Sequence, residues 1–411
     1  TKTARLKRSM TFPTEGYKYK TFHQTYKIIA FLMAVGLVYP NPSLYKFRII
    51  CIAIISVLPI TGIILYDMYR YLLDHDYVNI IRHCTVVGPF LGGFLKMMIM
   101  HVKQRPARMI INEIDEDYAS FNNMPEPYQR IIDSSIRNNL VYSEKAWVIT
   151  VFSCVMIFPF MAIALNFYNF VFKSEPTKYM AHEVRKPYGE PEDRFNSPYF
   201  EIIFIYMLYC SIFYFINFSG YDGFFGICIN HACLKMQLYC KAFEDALACS
   251  NIDEMRKRIV SVIQDQNRLF RYVELIQETF NIWLGLILIA TMIQICNCMY
   301  HITEGYELDF RYIIFIIGTV AHIYLPCRYS SKLQNMSVET STLFYCSGWE
   351  HVTVPSIRKM VIFMIARAQI PLQITAFNIL IFDMDLFVSK NSFRYGLPVY
   401  CRSTLEKYMT S

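Results

Sequence analysis

An all-α membrane protein with seven transmembrane helices is the fold class this sequence predicts, and three observations predict it. Apolar runs close to the ~20 residues that cross a bilayer as one helix recur along the whole 411-residue chain. Charged residues make up 18% of it against 54% hydrophobic, fewer charges than a soluble protein of this size carries. The 40 lysines and arginines gather between the apolar runs and fall unequally on alternate connections.

In chain order, residues 1–26 are basic and polar. Ile28–Val38 is apolar but too short to span, so it is expected at the membrane interface or packed under the bundle. It ends at Tyr39-Pro40 without a small-residue cleavage site and does not read as a signal peptide. The first span runs from Phe47 to Tyr66. The second runs from Tyr77 to Met100, where Gly88, Gly92 and Gly93 allow close helix approach. The third is Ala146–Phe167, the fourth Tyr199–Phe218, the fifth Phe280–Tyr300, the sixth Arg311–Tyr329 and the seventh Phe377–Tyr400. Connections 67–76 and 301–310 are short, and 168–197 is longer and polar. The segments after spans two, four and six read as helices. Gly226–Ala248, for example, repeats apolar residues at Ile227, Leu234, Leu238 and Phe243. Long helices projecting on one side would form a common cytosolic body.

Positive charge sets the orientation. Residues 1–48, 101–146, 235–271 and 328–367 together hold 27 Lys and Arg, and the opposite connections with the tail hold 11. The N-terminus is therefore expected in the cytosol and the C-terminus outside. The domain reading is a cytosolic N-terminus with an interfacial helix (1–46), spans one to six (47–329), a cytosolic anchor segment (330–376) and a seventh span with an external tail (377–411).

Several function classes are excluded. No nucleophile elbow, His-Glu-x-x-His or Gly-rich phosphate loop occurs, so no catalytic residue is expected and the chain does not read as an enzyme. The nine histidines are scattered, and His231 and His322 read as polar core residues before metal ligands. No cofactor or metal is expected. The 13 cysteines show no zinc spacing and read as buried thiols acting as small hydrophobes. The sequon at Asn335-Met-Ser337 falls on the cytosolic side and should be unused. The net charge of +7 lies between spans, where it sets topology and does not imply nucleic acid.

Two constellations remain. Spans two, three, four and six carry aromatic, thioether and small residues with little charge. These are Cys84, Thr85 and Gly88; Phe158, Met161 and Ala162; Phe204, Met207, Leu208 and Ser211; Phe315, Thr319 and His322. Such walls suit a small, neutral, apolar ligand held by shape and dispersion, although each residue alone would serve ordinary helix packing. Outside the spans, Tyr345, Trp349, Met360, Phe363 and Met364 are large apolar residues that need partners, from another subunit or from the chain's own helices.

The last third also carries a pattern. Tyr324-Leu-Pro-Cys327 closes the sixth span. Tyr345-x-x-x-Trp349, Arg367-x-Gln369-x-Pro371 and Leu386-Phe387 follow in order. This order resembles the C-terminal signature of insect odorant receptors, as Gly36-Leu-Val-Tyr-Pro40 resembles the phrase before their first span. The resemblance implies a tuning subunit of a heteromeric, ligand-gated, non-selective cation channel in the plasma membrane of a sensory dendrite. Its implied partners are the co-receptor subunit, in a heterotetramer, small volatile odorants and membrane lipid. The chain lacks the long insertion that the co-receptor carries between spans four and five. The resemblance further implies a pore-lining seventh span, with a gate near Tyr400 and a second ring near Thr404. Lys390 and Arg394 depart from the apolar run usual there, and Asp265 stands where many members have a histidine. A gustatory-type receptor channel and an inverted-topology G-protein-coupled chemoreceptor remain the alternatives.

Overall fold

The computed structural model describes residues 18–40, 44–173, 177–304 and 310–388. Two short helices come first, α1 (Phe22–Thr25) and α2 (Lys27–Val35). The first two apolar spans are α3 (Leu44–Leu73) and α4 (Tyr77–Val102). His75 turns the chain between them in the left-handed region (φ 56°), and Asp76 caps α4 by accepting from the Asn79 amide at 3.1 Å. Next come α5 (Gln104–Phe121) and α6 (Glu126–Asn138). A π-helical segment, Asn139–Ala146, carries α6 into α7 (Trp147–Phe172). The long helices α8 (Tyr199–Leu247), α9 (Ile252–Glu304) and α10 (Phe310–Tyr345) follow. The described chain ends with α11 (Pro355–Ala368), a ladder of β1 (Thr375–Ala376) on β2 (Leu380–Ile381), and α12 (Met384–Val388).

Among the described residues six helical stretches are long and apolar enough to cross a membrane, and they contain the first six of the seven spans expected from the sequence. At 1.5 Å per residue α8 and α9 are about 75 and 80 Å long, more than twice the ~30 Å hydrocarbon thickness. The molecule therefore has an upper bundle and a lower body threaded by the same helices.

The two halves differ in what they bury. Upper helices leave large apolar side chains outward, among them Ile52 (65% exposed), Ile205 (67%) and Ile317 (64%). In water such a belt would drive association, whereas in lipid it is the low-energy surface. In the lower body every residue of α8 from Ser219 to Leu234 is buried, and α2, α5, α6, α9, α10 and α11 add to one hydrophobic core around it. The helix α2 packs against the core with Ile29, Ala30, Leu32 and Met33 buried, the packed one of the two placements open to the short apolar run. It meets α8 backbone to backbone at Gly220, where a Cβ would lie 2.9 Å from the Met33 amide nitrogen. Its first amides, of Ile28 and Ile29, donate to the buried Glu144 carboxylate of the π-helical segment at 2.8 and 3.2 Å. On α5, burial alone would raise the Asp117 carboxyl. His231 at 2.8 Å and Lys235 at 2.9 Å outweigh burial and hold it below the usual carboxylate range.

The expected seventh span needs correction at its start. Phe377 does not open a helix, because Phe377 and Asn378 take left-handed conformations (φ 53° and 58°) at the tip of the β1–β2 turn. Tertiary contacts override the apolar pattern there. Gln277 on α9 donates to the Thr375 carbonyl at 2.9 Å and to Asn378 Oδ1 at 3.0 Å, and the Phe377 ring covers Gly285. Helix resumes only at Met384. The remainder of the expected span lies outside the described residues.

Candidate functional site

The upper bundle holds a cavity of about 200 Å³. Helical periodicity builds its walls, since residues three and four apart share a face. On α7 the lining runs Trp147, Thr150, Val151, Cys154, Val155 and Phe158, and on α10 it runs Phe315, Gly318, Thr319 and His322. Helix α4 gives Thr85, Val86 and Gly88 to Phe90, and α8 gives Met207, Cys210, Ser211, Tyr214 and Phe218. Edge-to-face rings stiffen the walls, Phe158 on Phe315 at 5.5 Å and Phe90 on Tyr214 at 4.7 Å.

Eight residues singled out from the sequence line this space: Thr85, Gly88, Phe158, Met207, Ser211, Phe315, Thr319 and His322. Five do not. Cys84 and Leu208 each neighbour a lining residue, but one residue turns a helix by about 100° and points them elsewhere. Met161 and Ala162 lie a turn beyond Phe158, and Ala162 is wholly buried in a cluster with Met180 and Ala181. Phe204 packs on Phe200 at 5.8 Å.

The sequence reading missed three contributors. Helix α3 supplies Ile60 and Ile64, and α9 supplies Trp283, Ile287, Ala290, Thr291 and Gln294. The connection after α7 supplies Ala181 and His182. Gln294, a polar residue inside an apolar span, was the one usable signal. The connection folds inward as a roof, with Met180 and Val184 buried. Asp67 on α3 pins it by accepting from the Arg185 amide at 2.8 Å and its Nε at 2.7 Å. His83 on α4 bonds His182 at 2.8 Å.

The floor is ionic. Lys96 of α4, wholly buried, donates to Asp222 Oδ2 of α8 at 2.6 Å. His322 Nε2 meets the same oxygen at 2.9 Å, and Trp283 Nε1 donates to Oδ1 at 3.2 Å. The Lys96 ammonium lies 3.6 Å from the Phe218 ring centre, and His322 stacks on Trp147 at 6.0 Å. One carboxylate thus ties four helices together beneath the apolar space, and Trp147 brings in a fifth.

Of the expected interface residues, Tyr345 (65%) and Phe363 (74%) are exposed. Trp349 and Met360 are half buried against the chain's own core. Met364 is corrected: at 3% exposure it faces inward on α11 and packs in that core. The expected pore residues Lys390, Arg394, Tyr400 and Thr404 lie outside the described residues. Among the described residues no His, Cys, Asp or Glu cluster could hold a metal.

Long apolar helices around an apolar, ligand-sized cavity define a multi-span helical membrane protein. Comparison with known proteins makes the class specific. The family model described as 7tm Odorant receptor matches residues 76–395. Odorant receptor 13a of Drosophila melanogaster is 22% identical over 353 residues, 80% of this chain and 81% of that protein. Odorant receptor 85c of the same insect is 20% identical over 325 residues, 75% of this chain and 78% of that protein. The olfactory receptor OR5 of Machilis hrabei, solved in complex with eugenol, shares the fold at a TM-score of 0.74 and 15% identity, over 93% of this chain and 98% of that one. The chain belongs to the odorant receptor family, whose members are receptors and not enzymes.

Proposed function

We propose that this chain is the odorant-binding, tuning subunit of a heteromeric ligand-gated, non-selective cation channel that detects small, volatile, apolar molecules. The observation that carries the reading is the cavity of the upper bundle, walled by aromatic and aliphatic side chains, with α8, α9 and α10 continuing from its walls into the lower body. Its partner is the co-receptor subunit in a heterotetramer at the plasma membrane of a sensory dendrite. Tyr345 and Phe363 are the exposed apolar residues offered to that assembly. The cytosolic end is the lower body, by the 27-to-11 distribution of Lys and Arg.

In this reading a volatile fills the cavity more favourably when the channel is open, and binding shifts the population toward that state. A differential affinity of a few kcal/mol is enough. The chain beyond α12 lines the path, with Lys390 and Arg394 beside it, Tyr400 at the gate and Thr404 in a second ring.

Cells expressing this chain with the co-receptor are expected to pass odorant-evoked current without G-protein signalling, with eugenol among the first probes. Silence to a broad panel at normal surface levels would remove the reading. An N-terminal tag should be hidden from antibody on intact cells and a C-terminal tag exposed. Reversed labelling would overturn the orientation. Ser211→Phe fills lining space and should change the rank order of odorants while leaving surface expression intact. An unchanged profile would place the ligand elsewhere.

A further inference from the structure

Most polar hydrogens around the cavity are already spent. Thr150, Ser211, Thr291 and Thr319 donate to the carbonyl one turn back on their own helices, at 2.9, 3.0, 2.7 and 2.8 Å. Thr85 donates to the Arg82 carbonyl at 2.6 Å. The Gln294 amide gives its hydrogens to the Thr85 carbonyl and to Cys298 Sγ. The Trp147 Nε1 and Tyr214 Oη hydrogens have no partner, but both atoms are sealed from the open space.

The network of the floor fixes His322. Asp222 carries one negative charge, and the Lys96 ammonium at 2.6 Å already balances it. A second cation on the same oxygen would be an unpaired charge in an apolar interior. His322 is therefore neutral, and its Nε2 carries the hydrogen donated to Asp222 at 2.9 Å. Its Nδ1 is then a bare lone pair. That atom has no hydrogen-bond partner among the described residues and is not among the sealed ones, on a side chain that lines the cavity. His182 on the roof bonds His83, and beyond the weak thiol donors of Cys154 and Cys210 the lining hydroxyl and amide groups have no accessible hydrogen left to give.

We propose that His322 Nδ1 is the hydrogen-bond acceptor through which this cavity selects hydroxyl-bearing odorants, alcohols and phenols, over aldehydes, ketones and ethers of the same size. The inference rests on the odorant-site reading above. An alcohol brings the missing hydrogen. A carbonyl or ether sets its lone pairs against that of the imidazole and leaves both unpaired, which costs about tenfold in affinity.

Three matched sets test it: cyclohexanol against cyclohexanone, hexanol against hexanal, and para-cresol against its isomer anisole. Each is applied to cells expressing the chain with the co-receptor. Each is also titrated against the purified full chain in lipid nanodiscs by tryptophan fluorescence, because Trp147 and Trp283 line the cavity. The hydroxyl member of each set is expected to act at about tenfold lower concentration. His322→Phe keeps a ring to stack on Trp147 and should bring the members within about twofold of each other. Ser211→Ala and Thr319→Ala, which remove other acceptors, should leave the tenfold preference in place.

Equal potency in the unmodified chain, or a carbonyl preference, overturns the proposal. So does a preference that survives in His322→Phe or disappears in either alanine variant. A chain that answers to odorants of other classes but ignores all three hydroxyl probes also overturns it, with the receptor reading intact. A chain that gives neither current nor fluorescence change with any odorant loses the receptor reading itself.

Discussion

Replacing Asp222 with alanine is expected to abolish odorant-evoked current and to keep most of the protein from the cell surface. The carboxylate accepts from Lys96, His322 and Trp283, and Lys96 has no solvent exposure. Without Asp222 the ammonium remains buried, faced by the Phe218, Trp283 and Tyr221 rings at 3.6, 4.5 and 5.7 Å. Breaking a buried pair on one side costs about 3–5 kcal/mol, and the rings, which face Lys96 with or without the carboxylate, do not offset it. A domain holds only about 5–15 kcal/mol in total, so the loss shows as failed delivery. Adding Lys96→Met removes the stranded charge with a side chain of similar length and should restore surface labelling. If Asp222→Ala alone reaches the surface and responds normally, the ionic floor does not hold the bundle together.

Gly220→Val is expected to release α2 from α8. The first added atom would lie 2.9 Å from the Met33 nitrogen and 3.0 Å from the Leu32 carbonyl carbon. Both belong to backbone, so no rotamer change relieves them and the helix must move. Overpacking of this kind costs about 1–3 kcal/mol. It also pulls the Ile28 and Ile29 amides away from Glu144. Residues 18–40 should become sensitive to protease in detergent-solubilised protein at concentrations that leave the unmodified chain whole. Gly223→Ala should be milder, because the nearest atom there is the far end of Ile29, at 2.4 Å. Equal protease resistance of Gly220→Val and the unmodified chain would mean that α2 docks by side chains alone.

The helices were legible in the sequence because each depends on a local apolar run and its own periodicity. Span starts such as Tyr77 and Tyr199 coincide with helix starts, and the helical period of Gly226–Ala248 marked the extension of the fourth span that α8 shows. The cavity was half legible. Residue type marked Phe158, Phe315 and His322, but only rotational phase separates Met207 from Leu208, and no local signal fixes that phase to the residue. The Lys96–Asp222 pair joins positions 126 residues apart, and neither partner reveals the other. A lysine within an apolar span is nonetheless a standing invitation to look for a carboxylate. The inward fold of residues 177–198 could not be read, since it depends on Asp67 and His83 from other helices. The turn at Phe377 was hidden for the same reason, its partners Gln277 and Asn281 being on α9.

The separation of apolar walls from an ionic floor bears on how such a protein can diversify. Wall positions such as Val86 and Ala290 contribute mainly volume, so exchanges among aliphatic side chains there cost about 1.5 kcal/mol or less when volume is conserved. Stability resides lower down, in the unbroken buried stretch from Ser219 to Leu234. Under the proposed function, sensory range can therefore drift by small steps in the walls, each reversible and cheap. Assembly of the fold tolerates few changes at Lys96, Asp222 or Gly220. A chemoreceptor organised in this way keeps its capacity to vary in one compartment and its obligation to fold in another.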